Sequence, residues 1–183
     1  MNILGISGSL RQKSFNTALL AAAEKMIPAG SSLTLQTLHG IPLYNAEEEE
    51  ASGFPPAVLA LQKAIYEADA LLIATPEYNN SIPGVLKNAI DWVSRPSALY
   101  SSVFTGKKVA LIGASPGGFG TILSQNAWLP VLRYFGADVW FGGRLLVSRA
   151  AEVFDENGAL LDTRIEKTLQ KFLTDFIARC ERN

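Results

Sequence analysis

Cysteine and histidine are nearly absent from this 183-residue sequence, and each shortage excludes a class of structure. The single cysteine, Cys180, rules out a disulfide within the chain. The single histidine, His39, leaves almost no ligands for a zinc site of the usual His/Cys kind. We therefore expect neither a disulfide scaffold nor a bound metal.

Long apolar runs and an excess of one charge are also missing. No run approaches the ~20 apolar residues that a helix needs to cross a bilayer. The first strand-like run begins at Asn2, so no signal peptide is expected. The 16 Lys and Arg residues nearly balance the 17 Asp and Glu residues, which gives a formal charge of −1. Such a chain has no general attraction to nucleic acid or to an anionic membrane, and we expect a cytoplasmic protein.

Strand-like and helix-like segments alternate along the whole sequence. Apolar and alternating runs predict strands at 2–7, 33–38, 70–75, 109–114 and 137–141. The spacing of apolar residues predicts helices at 15–27, 55–68, 84–94, 121–135 and 165–180. Hydrophobic residues make up 48% of the chain, which is enough for a large core. The pattern predicts an α/β protein with a mostly parallel sheet, and one domain over residues 1–183.

A polar loop follows the first predicted strand, and its composition suits a phosphate. The first 23 residues contain no Asp or Glu, whereas Arg11 and Lys13 are positively charged. The loop leads into a helix N-terminus, where free backbone N–H groups and the helix dipole favour an anion. Ser9, Ser14 and Asn16 add short side-chain donors. The same residues also fit a simple helix cap with solvated basic side chains.

Other nucleotide and hydrolase motifs fit this loop less well. The Walker A pattern is absent, and Gly5 and Gly8 miss the glycine spacing of the dinucleotide fingerprint. No acidic residue follows the predicted strand at 33–38, which disfavours a tightly held NAD. The hydrolase elbow G-x-S-x-G is missed by one residue, and His39 precedes any suitable acid partner. A mononucleotide is therefore the favoured ligand.

Two further polar loops follow the strands predicted at 70–75 and 109–114. In the second loop, Tyr78 offers a flat face and Asn79 offers both a donor and an acceptor to a heterocycle. The third loop contains three glycines within residues 117–120, so backbone can approach a ligand closely. Each loop alone also fits an ordinary turn. Because the carboxyl ends of parallel strands share one edge of a sheet, we expect all three loops to line one crevice.

In these loops the sequence resembles the NADPH-dependent FMN reductase family, which includes quinone, azo-dye and chromate reductases. The resemblance rests on G-S-L-R from Gly8, on P-E-Y-N from Pro76, on L-K-N-A-I-D-W from Leu86 and on S-P-G-G from Ser115. It covers nearly the whole chain. It implies a flavodoxin-like fold, which is a doubly wound parallel five-stranded sheet in the order 2-1-3-4-5 with helices on both faces. It also implies a homodimer or homotetramer.

The resemblance further implies a set of FMN-binding residues, one group from each loop. The residues that would hold the phosphate are Ser9, Arg11, Ser14 and Asn16, with Phe15 beside them. Those that would run along the flavin ring are Pro76, Glu77, Tyr78 and Asn79. Those on the other side of the ring would be Ser115, Gly117 and Gly118.

These observations predict a flavin oxidoreductase. NAD(P)H would stack on FMN, pass a hydride to flavin N5 and leave, and a quinone or another small electrophilic acceptor would then be reduced. The cofactor carries this chemistry, so we assign no strict catalytic residue. Backbone N–H groups near Glu77 to Asn79 would stabilise charge on the reduced ring. Two alternatives stay open: a flavodoxin-type electron carrier, which a pI near 5.9 disfavours, and a flavin-binding regulatory module.

Several remaining features receive plain interpretations. The four glutamates at 47–50 are a solvated loop, or else flank a neighbouring subunit's site. Cys180 is a small apolar residue and His39 a loop residue, and Arg95 is an ordinary surface side chain or else a contact to a nucleotide phosphate. Apolar residues of segment 82–93 cover an arc of about 160° at ~100° per residue. That arc fits either contact with a second chain or a deeply buried core helix.

Overall fold

A parallel sheet forms the centre of the fold in the computed structural model, which describes residues 1–95 and 103–182. The strands are β1 Asn2–Ser7, β2 Ser32–Gln36, β3 Ala70–Ala74, β4 Lys108–Ala114, β5 Asp138–Val139 and β6 Leu145–Val147. Their order is β2-β1-β3-β4-β5, and every pair is parallel. The predicted flavodoxin-like α/β fold and its strand order are confirmed.

Helices cover both faces of this sheet. They are α1 Phe15–Lys25, α2 Ala46–Ser52, α3 Pro56–Glu67, α4 Gly84–Val93, α5 Ile122–Tyr134, α6 Ala150–Val153 and α7 Thr163–Glu181. The starts of several helices follow from local chemistry. The Ser14 and Asp162 side chains cap α1 and α7, and Pro56 occupies the first turn of α3, where no N–H donor is needed.

Two apolar cores result, one on each face. Successive residues of a strand point to opposite faces, so Leu71 and Ile73 of β3 pack with α3, α4 and α5. Leu72 of the same strand packs with α1, α6 and α7 on the other face. All five residues of β3 are buried, as a central strand requires. The loops at the strand ends are therefore held by a rigid sheet.

The fifth position of the sheet differs from the expectation of a single strand over 137–141. Two short strands occupy it: β5 pairs with the start of β4, and β6 pairs with its end. Between them, the Trp140 indole packs on Phe172 of α7 with ring centroids 4.9 Å apart. A Cβ at Gly142 would lie 2.5 Å from Trp140 Nε1, so glycine at this position leaves room for the half-buried ring.

The glutamate run at 47–50 is a helix, and the expectation of a loop there is wrong. Asn45 caps α2, and three glutamates in its first turn match the helix dipole. Most of the run is solvated as expected, but Glu49 accepts hydrogen bonds from Tyr44 Oη and Arg95 Nε, each at 2.9 Å. Arg95 is therefore an ion-pair partner rather than an ordinary surface side chain.

The wide apolar arc of α4 is largely buried within the chain. Leu86, Ala89, Ile90, Trp92 and Val93 lie in the core. Trp92 donates to the Pro42 carbonyl at 2.9 Å and packs edge-on against the Tyr44 ring. The core-helix alternative thus explains this face, and the arc supplies no separate argument for a second chain.

Candidate functional site

Backbone hydrogen bonds bring the three polar loops to one edge of the sheet. The Gly8 N–H donates to the Ala74 carbonyl, Thr75 N–H to Ile112, and Ser115 N–H to Val147, each at 2.9 Å. A Cβ at Gly8 would lie 2.8 Å from Pro76 Cδ, so glycine is what allows the first two loops to approach closely. We call the space bordered by residues 8–14, 76–83 and 115–120 the three-loop crevice.

The first loop presents unused donors at the start of α1. Ser14 is 5% exposed and its Oγ accepts from the Thr17 N–H at 3.3 Å. The N–H groups of Phe15 and Asn16, which come first in the helix, have no acceptor among the described residues. Ser9 is also 5% exposed and receives the Arg11 N–H at 3.2 Å. Backbone donors and two hydroxyls therefore converge where the helix dipole is positive.

Two cations of the same loop are uncommitted. The Arg11 and Lys13 side chains are exposed, and neither forms an ion pair or hydrogen bond within the part of the chain that the structure describes. The Arg11 guanidinium lies 5.6 Å from the Phe15 ring centroid. The Phe15 ring itself stacks on Phe154 at 6.0 Å. Positive charge thus stands beside the free N–H groups without a protein anion to neutralise it.

Asn16 makes a specific structural connection. Its side chain is 3% exposed, donates to the Ala114 carbonyl at 2.9 Å and accepts from the Ala114 N–H at 3.0 Å. The amide thereby occupies the backbone groups of the last β4 residue, where β3 has already ended. Asn16 consequently joins the first loop to the base of the third.

The second loop is a tight turn that projects Tyr78. Tyr78 and Ser81 exchange backbone hydrogen bonds of 3.1 and 3.0 Å. Asn79 and Asn80 have φ values of 51° and 61°, the left-handed geometry of a type I′ turn, which asparagine tolerates. Tyr78 remains 45% exposed at this edge. The turn holds an aromatic face at a defined position beside the crevice.

The Glu77 carboxylate caps the N-terminus of α5 rather than serving only as a group that faces a ligand. Its Oε2 accepts from the N–H groups of Leu123 and Ser124 at 2.8 and 3.1 Å. A carboxylate is stabilised there by the positive end of the helix dipole. Pro76 continues from the buried Thr75, whose Oγ1 contacts Ser124 Oγ at 2.8 Å and receives the Trp128 indole N–H at 2.9 Å. The second loop is thus anchored to α5.

The third loop is open backbone held at its two ends. Ser115 Oγ donates to the Gly120 carbonyl at 2.6 Å, and the Gly117 carbonyl accepts from the Arg149 N–H at 2.9 Å. A Cβ at Gly118 would meet no atom within 4 Å, so this residue faces free space. The structure therefore brings all twelve predicted residues to the three-loop crevice or its supports.

Several residues that support the crevice were not predicted from the sequence. His39 Nε2 lies 3.1 Å from the Leu10 carbonyl and ties the first loop to the segment after β2. Thr75, Ser124 and Trp128 form the buried network under the second loop. Each of these contacts joins residues that are at least 29 positions apart, so no local sequence motif predicts it.

No three His, Cys, Asp or Glu side chains among residues 1–95 and 103–182 are grouped to hold a metal ion. Over the same ranges, no helix combines the length and hydrophobicity needed to cross a membrane.

Comparisons with known proteins agree with this geometry. A family model described as NADPH-dependent FMN reductase matches residues 1–152. An NAD(P)H-dependent FMN reductase of Pseudomonas aeruginosa is 46% identical over 173 residues, which is 94% of this chain and 91% of the relative. A 2-hydroxy-1,4-benzoquinone reductase of a Burkholderia species is 37% identical over 178 residues, covering 97% and 95%. The flavoenzyme NAD(P)H:(acceptor) oxidoreductase FerB of Paracoccus denitrificans superposes with a TM-score of 0.86 at 32% identity, covering 99% of this chain and 97% of that one.

The sheet order and a crevice at the carboxyl ends of its strands define a flavodoxin-like oxidoreductase. Within that class, the chain belongs to the NADPH-dependent FMN reductase family. It is an enzyme that uses FMN and NAD(P)H and reduces a small-molecule acceptor.

Proposed function

We propose that the three-loop crevice holds FMN with its phosphate in the first loop. The observation that carries this assignment is the meeting of two uncommitted cations, Arg11 and Lys13, with the free N–H groups of Phe15 and Asn16. A phosphomonoester carries a charge of about −1.5 to −2 and accepts several hydrogen bonds, so it matches this donor set. The buried hydroxyls of Ser9 and Ser14 complete the cradle.

The second and third loops suit the flavin ring. Pro76, Tyr78 and Asn79 offer a flat edge of the crevice, and Ser115, Gly117 and Gly118 border it from the other side, where the absence of side chains leaves room. The Tyr78 N–H is committed to Ser81, whereas the N–H groups of Glu77 and Asn79 have no acceptor among the described residues. We assign to these two donors the stabilisation of charge on the reduced ring.

FMN, when bound, supplies two-electron transfer from NAD(P)H to an acceptor. The chain's own residues then bind and orient the reactants, because no side chain in the crevice is placed as a general acid or base. We assign a quinone as the acceptor, since a relative that is 37% identical over 97% of this chain is named for one. NAD(P)H and the quinone would use the same face in turn, which is a ping-pong sequence.

The remaining assignments rest on the family. We propose that the chain acts as a homodimer or homotetramer in the cytoplasm, with residues 1–183 forming one domain. The measured mass of the assembly by light scattering tests the oligomeric state, and a monomer at micromolar concentration would contradict it.

Arg11→Gln tests the phosphate cradle. Loss of a charge-assisted contact of about 1.5–3 kcal/mol predicts an FMN dissociation constant that is roughly 10- to 100-fold higher. Arg133→Gln is the matched control, because Arg133 is an exposed arginine on α5 whose side chain has no hydrogen-bond or ion-pair partner in the described part of the chain. Fluorescence titration of apo-protein with FMN measures both. Equal FMN affinity in the two variants would refute the cradle.

Steady-state kinetics test the reaction. We expect NAD(P)H oxidation with 1,4-benzoquinone and parallel double-reciprocal lines when both substrates are varied. Intersecting lines would exclude the ping-pong sequence. FMN uptake without turnover on any quinone would instead favour a flavin-binding module.

A further inference from the structure

A second cavity opens beside the first loop, on the face of the sheet that α1 and α6 cover. Its volume is about 430 Å³, within the roughly 300–1,000 Å³ typical of ligand pockets. It lies between α1 and the segment 151–158, and residues 11–14 border both this cavity and the three-loop crevice. We call it the α1–α6 cavity. The assigned FMN residues of the second and third loops do not line it.

The walls of this cavity differ in charge and polarity. Arg11 and Lys13, from the first loop, bring positive charge to the lining, whereas Asp155 and Glu156 bring negative charge. The Asp155 carboxylate is occupied by the N–H groups of Asn157 and Ala159 at 2.9 and 2.7 Å. Glu156 has no such partner among the described residues, so its carboxylate is a free acceptor in the lining.

The floor of the cavity is apolar and aromatic. It is built from small side chains, Ala18, Ala21 and Ala151, and from the stacked rings of Phe15 and Phe154. Small side chains leave room for a flat group, and the apolar part of the lining favours a ring over a charged group. An occupant that suits this lining has a flat ring, an anionic group for the cations and a hydrogen-bond donor for Glu156.

We propose that the α1–α6 cavity binds the adenosine phosphate end of the nicotinamide dinucleotide. A phosphate of this end would meet Lys13 while Arg11 holds the FMN phosphate, the adenine would lie over the alanine side chains, and its amino group would donate to Glu156. This placement rests on the proposed function, because the nicotinamide end must reach the flavin in the crevice. Because residues 11–14 border both, the two sites are continuous, as one extended dinucleotide requires.

Ala151→Trp tests the proposal by filling the cavity from an exposed position without removing a charge. We expect KM for NADPH and for NADH to rise about tenfold, while KM for reduced nicotinamide mononucleotide, which lacks adenosine, stays unchanged. Ala60→Trp on the exposed side of α3 is the matched control and should alter none of the three. Equal KM values for both dinucleotides in the two variants would overturn the proposal.

Lys13→Gln tests the same site through charge, with Lys167→Gln on α7 as its control. In FMN-saturated enzyme, which is needed because Lys13 also borders the proposed FMN phosphate cradle, a rise of about tenfold in KM for NADPH alone places the 2′-phosphate at Lys13, and an equal rise for both dinucleotides places the diphosphate there. Either result supports the cavity, and no change for both dinucleotides contradicts it.

Direct binding supplies a readout besides activity. Isothermal titration of the FMN-loaded protein with adenosine 2′,5′-bisphosphate and with ADP should show binding of at least one, and Ala151→Trp should abolish it. Bound FMN, measured by its absorbance, separates the two hypotheses. Loss of FMN from Ala151→Trp would place the flavin itself in the α1–α6 cavity and overturn this inference. Failure of the wild-type protein to bind FMN would instead refute the proposed function.

Discussion

Replacement of Asn16 by alanine tests whether this residue holds the crevice together rather than only touching a ligand. The amide makes two hydrogen bonds of 2.9 and 3.0 Å with the backbone of Ala114, which is 2% exposed. Asn16→Ala removes both bonds and leaves a buried N–H and a buried carbonyl without partners. Net bonds of about 1 kcal/mol each, plus the desolvation of the orphaned groups, give a loss of about 2–4 kcal/mol.

The assay is urea unfolding of the FMN-free protein, in which no ligand contributes to stability. A loss of this size corresponds to a fall in Tm of roughly 4–16 °C for a chain of this length. Asn126→Ala makes the same chemical deletion on the exposed face of α5 and should change the free energy of unfolding by less than about 0.5 kcal/mol. If the two apo-variants are equally stable and only Asn16→Ala loses FMN affinity, Asn16 is a ligand and the structural argument fails.

Two further predictions concern buried groups. Gly113→Ala should destabilise the protein by about 3 kcal/mol in urea unfolding, because its Cβ would lie 1.9 Å from Thr121 Oγ1 and 2.4 Å from the Thr75 carbonyl. Burial raises the pKa of the Cys180 thiol from 9.0 to about 11, so the native thiol should resist alkylation at pH 9 and react once urea unfolds the chain. Because the unfolded thiol ionises first, the free energy of unfolding should fall between about pH 9 and 11, and Cys180→Ala should lack this component.

Each of these two predictions has a result that would contradict it. Gly84→Ala, at the start of α4, meets no atom within 4 Å and should leave stability unchanged or slightly higher. A Gly113→Ala variant as stable as Gly84→Ala would show that the chain relaxes around the methyl group. Rapid alkylation of native Cys180 at pH 9 would show that α7 opens locally at its end.

Much of the fold was predictable because it follows from local patterns. Continuous apolar runs predicted β1, β3 and β4, and their order in the chain predicted a parallel sheet. The short loops rich in glycine and serine after these strands were predicted to share one edge, and the backbone bonds of Gly8 and Ser115 confirm that juxtaposition. Helix ends were placed within about two residues, as capping side chains and proline allow.

Other features depended on contacts that the local pattern does not contain. Four glutamates at 47–50 repel one another as a segment, yet Glu49 is held by Tyr44 and Arg95, the latter 46 positions away. The strand predicted over 137–141 is interrupted at the point where the Trp140 indole packs on Phe172 of α7. Glu77 belongs to the loop motif, but the helix it caps begins more than 40 residues later.

The amino-acid sequence by itself determined the alternation of elements and the three loops, because periodicity and composition are local properties. Only the tertiary structure decided that Asn16 joins two loops, that Glu77 caps α5 and that Arg11 and Lys13 border a second cavity. Those roles depend on distances between residues remote in the chain. Such distances are set by how helices pack on the sheet, and no single segment encodes them.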